Sequence, residues 1–192
     1  AFFHYLELEE ILEINPFNKI QTKFQEPFVL PRTIPLKTIK KLLKTIYREK
    51  DKPMSDYRKS VVLRDIAMFE IMFATGMRIS EICSLKNDDI DLKNKIIRVY
   101  GKGSKERLIQ IENTDVINAL KEYKKHTHSK TDYFFTNKLD NRLSEQSVRF
   151  MINHYVKLAG IDMHITPHMF RHSFATLLLE EDVDIRYIQQ LL

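Results

Sequence analysis

With 192 residues, the chain can hold one well-cored domain and a fragment of another, but not two full-sized ones. Its 43% hydrophobic and 30% charged content excludes a dominantly disordered chain, no apolar run approaches a membrane span, and a single cysteine, Cys83, excludes a disulfide framework and points to a reducing, cytoplasmic setting. The formal net charge of +5 is too small to name a nucleic-acid partner by itself, so the placement of the charges has to carry that inference.

The opening stretch AFFHYLELEEILEINPFN spaces Phe2, Phe3, Leu6, Ile11 and Leu12 as an amphipathic helix that begins without a cap and ends at Asn15-Pro16. From there to Pro35 the chain carries Pro27 and Pro31 among isolated apolar residues, which predicts an extended connector and a domain boundary. Helix returns over 36–47, with Ile39, Leu42, Leu43 and Ile46 inward and Lys37, Lys40, Lys41 and Lys44 outward. A lysine face of this kind is ordinarily solvated surface. REKDKPMSDYRKS reads as a polar loop ending near Ser60, followed by an apolar helix through Leu63, Ala67, Met68, Ile71 and Met72 to Thr75.

Gly76 stands where a left-handed cap is expected, so Arg78 leaves the helix end on a fixed backbone. Ser80 is the expected N-cap of a second, short helix through Ile82, Cys83 and Leu85, with Glu81 one turn beyond Arg78. Past Leu85 the apolar period falls to two: Ile90 and Leu92, then Ile96, Ile97 and Val99, and on the return Leu108, Ile109 and Ile111. GKGSK lies between the last two runs, which is a β-hairpin signal. Arg98, Lys102, Lys105 and Arg107 are expected to give that hairpin a positive tip suited to phosphate.

Val116, Ala119, Leu120 and Tyr123 mark another helix, closed by KKHTHSK. Asp132-Tyr133-Phe134-Phe135 is a short strand or turn, and NKLDNRL is a loop. Ser144 caps a helix with Val148, Met151, Ile152, Tyr155 and Leu158 inward, stopped by Gly160. Pro167 suits the first turn of the next helix and places His168 and Arg171 on one face beside unpaired backbone amides, a ready anion site. Phe174, Leu177, Leu178 and Leu179 are expected to bury the rest of that helix. Asp182 or Asp184 caps a last one from Ile185.

Each feature has an ordinary reading when taken alone. An arginine after a helix cap with a glutamate nearby is commonly a surface ion pair. GKGSKER lacks the spacing of a phosphate loop and leads into a strand, which sets nucleotide binding aside. His164, His168 and His172 have metal-ligand spacing, but Pro167 separates the first from the helix and Arg171 would repel a cation, so no metal is expected.

The joint pattern is more specific. ATGMRISEI, then a hairpin with GKGSKER, then TPHMFRHSFAT in that order resembles the catalytic domain of tyrosine recombinases, the phage-integrase and Xer-like family. The resemblance implies an α+β, mainly α-helical fold with a small antiparallel sheet. It also implies three segments: 1–22 as the tail of a core-binding, SAM-like domain, 23–34 as linker, and 35–192 as a catalytic domain incomplete at its C-terminus. By the same resemblance Arg78, Lys102, His168 and Arg171 are catalytic, with Lys105 the second candidate for the lysine role and His172 supporting; Lys105, Arg107 and His172 are the expected DNA or phosphate contacts. None of the eight tyrosines fits the nucleophile's place, which the resemblance puts beyond Leu192, so the chain as given is expected not to cleave DNA. The implied partners are double-stranded DNA and further copies of the protein in a tetrameric synapse. The implied chemistry is strand exchange through a 3′-phosphotyrosyl link, which needs no cofactor. A DNA-binding protein that has lost catalysis, and a type IB topoisomerase, share the same constellation.

Overall fold

The computed structural model describes residues 2–19, 32–101 and 106–192. They fall into two compact units, Ala1–Leu30 and Pro31–Leu192. In the first, helix α1 covers Phe2–Leu8 and buries none of its residues. It is shorter than the sequence pattern suggests, because Glu10 adopts a left-handed backbone with φ 56° and the Ile11 amide donates back to the Leu6 carbonyl at 3.0 Å, closing the end. The part of the expected connector at 23–31 lies outside the described residues.

The second unit is built on α3, Asp56–Thr75, a 20-residue helix. Its C-terminal two thirds is mostly apolar and buried on nearly every face, and such a helix belongs in the middle of a core rather than on its surface. Met68, Phe69 and Ile71 are fully enclosed. Helix α2, Leu36–Lys50, packs on it through Ile39, Leu42 and Ile46, with its lysines outward as the spacing predicts. Two corrections apply at the start of α3. It begins at Asp56 rather than near Ser60, and Ser55 is its cap, accepting the Arg58 amide at 3.3 Å.

Short α4, Ile79–Ser84, and a 3-10 turn, Asn87–Asp89, lead into an antiparallel sheet of β1 Ile90–Asp91, β2 Ile96–Tyr100 and β3 Glu106–Gln110, in that spatial order. Pairing Ile97 with Ile109 and Val99 with Arg107 puts Ile97, Val99 and Ile109 on the core face and leaves Leu108 exposed. Helix α5, Thr114–His126, lies against α3, and α6, Glu145–Leu158, against α2 and α4. Ser144 caps α6 by accepting the Ser147 amide at 3.1 Å, and Gly160 follows the helix with φ 58°. Phe134 and Phe135 pack on the Tyr123 ring in a buried aromatic cluster.

Helix α7, Pro167–Glu180, docks on α3 through Phe170, whose ring meets Phe69 and Phe73 at 5.8 and 4.5 Å. Its buried residues are Met169, Phe170 and Ser173. Contrary to expectation, Phe174, Leu177 and Leu178 are only half-buried, and Leu179 is 47% exposed. With the helix docked through Phe170, the outer end of that stripe, Leu179, faces the surface. Asp184 caps α8, Ile185–Leu191, by accepting the Arg186 amide at 2.7 Å. The architecture is thus the mainly helical α+β fold with a three-stranded antiparallel sheet. Among the described residues, no helix is long and apolar enough to cross a membrane.

Candidate active site at the arginine cluster

Gly76 ends α3 in the left-handed region, φ 58°. A Cβ there would fall 2.5 Å from Phe174 Cδ1 and 2.8 Å from Leu192 Cδ2, so conformation and space both require glycine. Its carbonyl accepts a hydrogen bond from Arg171 Nη1 at 2.9 Å, while Arg171 Nη2 donates to the Leu192 carbonyl. The α3 cap therefore steadies a guanidinium that arrives from α7.

Two residues later Arg78 occupies the N-cap of α4, the position the sequence pattern assigns to Ser80. The helix starts early because Glu81, at its third position, accepts the Arg78 amide on Oε2 at 2.8 Å and its guanidinium Nη1 on Oε1 at 3.1 Å. Arg107 approaches the same carboxylate from β3, giving Nη1 to Oε1 at 3.0 Å and Nη2 to Oε2 at 2.8 Å. Each carboxylate oxygen thus serves one donor from each arginine. The Glu81 side chain is 5% exposed and that of Arg107 17%, whereas that of Arg78 is 50% exposed.

The charges respond to this crowding. Burial works against the Glu81 carboxylate, but the hydrogen bonds from Arg107 and the Arg78 amide outweigh it and hold its pKa below the usual value. Arg171 moves the other way: burial first, then the positive charge of Arg78, lowers its pKa to about 10, with Glu81 opposing. Arg78, Arg107 and Arg171 therefore share one electrostatic neighbourhood with a single buried carboxylate. The excess of positive charge suits an incoming anion.

Space for it lies on both sides of Arg78. One hollow of about 500 Å³ is lined by Arg78, Ser80, Glu81, Ser84, Tyr100 and Gly101. A second, of about 530 Å³, is lined by Arg78, Gly101, Glu106, Arg107, Gln189, Gln190 and Leu192. Arg142, from the loop before α6, donates to Ser84 Oγ at 2.8 Å and adds a further cation at the first rim.

The other expected site residues are placed differently. His168 stands in the first turn of α7, exposed, on a separate hollow of about 250 Å³ with Ile79, Arg149, Asn153 and His164. His172 is exposed. Lys102 and Lys105 lie outside the described residues. Arg107 is turned inward onto Glu81, away from the positive hairpin tip that the sequence pattern suggests. Of the hairpin cations described, Arg98 is engaged by Glu106 at 2.9 Å on the outer face. Cys83 is enclosed, and burial raises its thiol pKa to about 11, which suits a core residue rather than a nucleophile. Among the described residues, no group of three or more His, Cys, Asp or Glu side chains could hold a metal ion.

Arg142 is missing from the sequence-based site because its contact joins two elements far apart in the chain, and no local pattern carries that. The turn of Arg107 does have a signal: Arg107, Ile109 and Ile111 alternate, so the arginine shares the core-facing side of its strand.

Comparison with known proteins places these features in a family context. The family model described as "Phage integrase family" matches residues 33–192. A tyrosine recombinase of Agathobacter rectalis is 54% identical over 195 residues, which cover 100% of this chain and 64% of the relative. The tyrosine recombinase XerD of Listeria monocytogenes is 37% identical over 199 residues, covering 100% of this chain and 63% of that protein. The chain thus spans just under two thirds of the length of these relatives. Among solved structures, the crystal structure of XerA recombinase matches with a TM-score of 0.71 and 30% identity, over 86% of this chain and 57% of that one. XerH recombinase, bound to its difH substrate in a pre-cleavage complex, matches with a TM-score of 0.72 and 29% identity, over 85% and 47% of the two chains.

Proposed function

We propose that this chain, which belongs to the phage integrase family, is the phosphate-activating part of a site-specific DNA strand transferase that breaks and rejoins strands through a 3′-phosphotyrosyl intermediate. The observation that carries the reading is that Arg171, from α7, bonds the Gly76 carbonyl at 2.9 Å, two residues before Arg78, with hollows beside Arg78 wide enough for a phosphodiester. Double-stranded DNA is the partner, as for the relative XerH, whose structure holds its difH substrate. Paired sites brought together by four copies of the whole protein account for strand exchange.

In the proposed reaction a tyrosine oxygen, supplied by the remainder of the whole protein, attacks phosphorus. The P–O5′ bond breaks, the 5′-hydroxyl leaves, and a 3′-phosphotyrosyl ester remains. A hydroxyl from a second strand reverses the step, so bond energy is conserved. Negative charge grows on the non-bridging oxygens in the transition state, and two guanidiniums that stay ionised stabilise it there more than in the ground state. Arg171 remains protonated at neutral pH even with its pKa lowered to about 10. In this assignment Lys102 protonates the leaving oxygen, and His168 takes the tyrosine's proton or bonds a phosphate oxygen. His172 and Lys105 add phosphate contacts.

The test uses the full-length protein on a nicked suicide duplex, with trapped covalent protein–DNA adduct as the readout. The parent forms adduct. Arg78→Ala and Arg171→Ala each reduce its formation by about 100-fold or more, the order expected for losing one preorganised donor to the transition state, while retaining part of the DNA affinity. Adduct formation at the parent rate by either variant removes that arginine from the assignment. A parent that binds DNA without forming adduct is a binding protein on this fold.

A further inference from the structure

Arg107 is committed to Glu81. Both of its terminal nitrogens are spent on the two oxygens of Glu81, at 3.0 and 2.8 Å, in the parallel geometry that suits a guanidinium and a carboxylate. Its Nε is buried and, among the described residues, meets no hydrogen-bond partner. A buried donor left unpaired is unfavourable, so the side chain is held here by what it does for Glu81 and not by the number of bonds it makes. Glu81 in turn grips Arg78 twice, through the main-chain amide and through the guanidinium, at 2.8 and 3.1 Å. Arg78 keeps half its side chain exposed and lines both hollows, and among the described residues its remaining donors meet no partner.

We propose that Arg107 is a positioning residue: by gripping Glu81 from β3 it fixes the Arg78 guanidinium at the phosphate site and locks the hairpin strand to the start of α4. The proposal rests on the strand-transfer reading above. Arg107 itself touches no substrate. With the grip gone, Glu81 keeps, among the described residues, only Arg78 as a charged partner, the sheet is no longer tied to α4 by this pair, and the Arg78 guanidinium can swing. A displacement of about 1 Å at such a group is enough to lower a rate about 100-fold.

The experiment measures adduct formation and DNA affinity separately in the full-length protein, for Arg107→Ala, Arg107→Lys, Glu81→Gln and Glu81→Gln combined with Arg107→Ala. Circular dichroism checks that each variant is folded. Arg107→Ala is expected to slow adduct formation about 100-fold, with the dissociation constant within about twofold of the parent and the salt slope unchanged. A phosphate contact would instead lower that slope by about 0.9. Arg107→Lys retains charge but not the paired donors, so it recovers only part of the rate. The double variant is expected to be no slower than its slower single parent to within about twofold, because the two side chains act as one unit. Should Arg107→Ala unfold, the lysine variant and the Glu81→Gln background still report the coupling. A shallower salt slope, multiplicative losses in the double variant, or full rate in Arg107→Ala each overturn the proposal while the parent still forms adduct. A parent that forms none overturns the strand-transfer reading, and the positioning role falls with it.

Discussion

Gly76 answers two demands at one position. Its φ of 58° is costly for any residue with a Cβ, by roughly 1–2 kcal/mol, and the added methyl would press on the Phe174 ring at 2.5 Å. That ring belongs to a packed helix, so relief means moving α7, at a further cost of about 1–3 kcal/mol for overpacking. Arg171 lies one turn earlier on the same helix and bonds the Gly76 carbonyl at 2.9 Å, so any shift of α7 reaches the arginine cluster. Gly76→Ala is therefore expected to lower the urea midpoint by the equivalent of about 2–5 kcal/mol, the sum of these two terms, and to slow adduct formation as well. Lost stability with full activity would show that α7 accommodates the methyl without moving Arg171. The glycine was legible in the chain because a helix end has a local signature. The inward turn of Arg107 is harder to see: counting charges near the hairpin ignores strand parity, and Val99 opposite Arg107 shows which face that parity selects.

Element boundaries show where local rules compete. The sequence pattern runs the polar loop to near Ser60 and offers Ser80 as a cap, yet α3 and α4 start at Asp56 and Ile79. In α3 the earlier serine wins because Ser55 takes extended backbone, ψ 156°, and its hydroxyl receives the Arg58 amide at 3.3 Å. In α4 the reciprocal bond comes from the Glu81 side chain to the Arg78 amide, which fixes the first turn without a serine. This gives a paired prediction at the element scale. Ser55→Ala is expected to cost about 1 kcal/mol, the usual worth of a cap, while Ser60→Ala, well inside α3, stays within about 0.5 kcal/mol of the parent. Chemical denaturation with unchanged m-values measures both, and equal losses would show that the Ser55 bond does not cap the helix in solution. The existence and type of α2, α3, α5 and α6 were plain from period and caps. The orientation of α7 was not, since Phe170 meeting Phe69 and Phe73 is a tertiary contact that overrides the helix's own apolar stripe.

At the scale of the whole molecule, three of the buried acids, Asp65, Glu70 and Glu81, have shifted pKa values that make stability vary with pH, and they pull in opposite directions. Asp65 and Glu70 sit on α3 inside the core; Arg64 and the Tyr155 hydroxyl bond the first, and the Tyr47 hydroxyl donates to the second at 2.8 Å. Burial raises both pKa values and exceeds the help these partners give. Neither acid was foreseen in the sequence, because a core acid is recognisable only through partners that distant helices supply. A carboxyl whose folded pKa is raised binds its proton more tightly when folded, so its contribution is present below the unfolded value and is lost as pH rises through the folded pKa. Glu81 has the reverse sign: its folded pKa is lowered, its contribution is present above the ordinary value of 4.5, and it disappears as pH falls through the folded pKa. Glu70→Gln tests the first branch, since glutamine has nearly the same shape and its side-chain oxygen still accepts from Tyr47. Urea denaturation across pH should show variant and parent alike well below 4.5, with the variant progressively more stable as pH rises above that value. Parallel curves for the two proteins would mean that Glu70 titrates as it does in the unfolded chain, and that burial in α3 leaves its charge unpenalised.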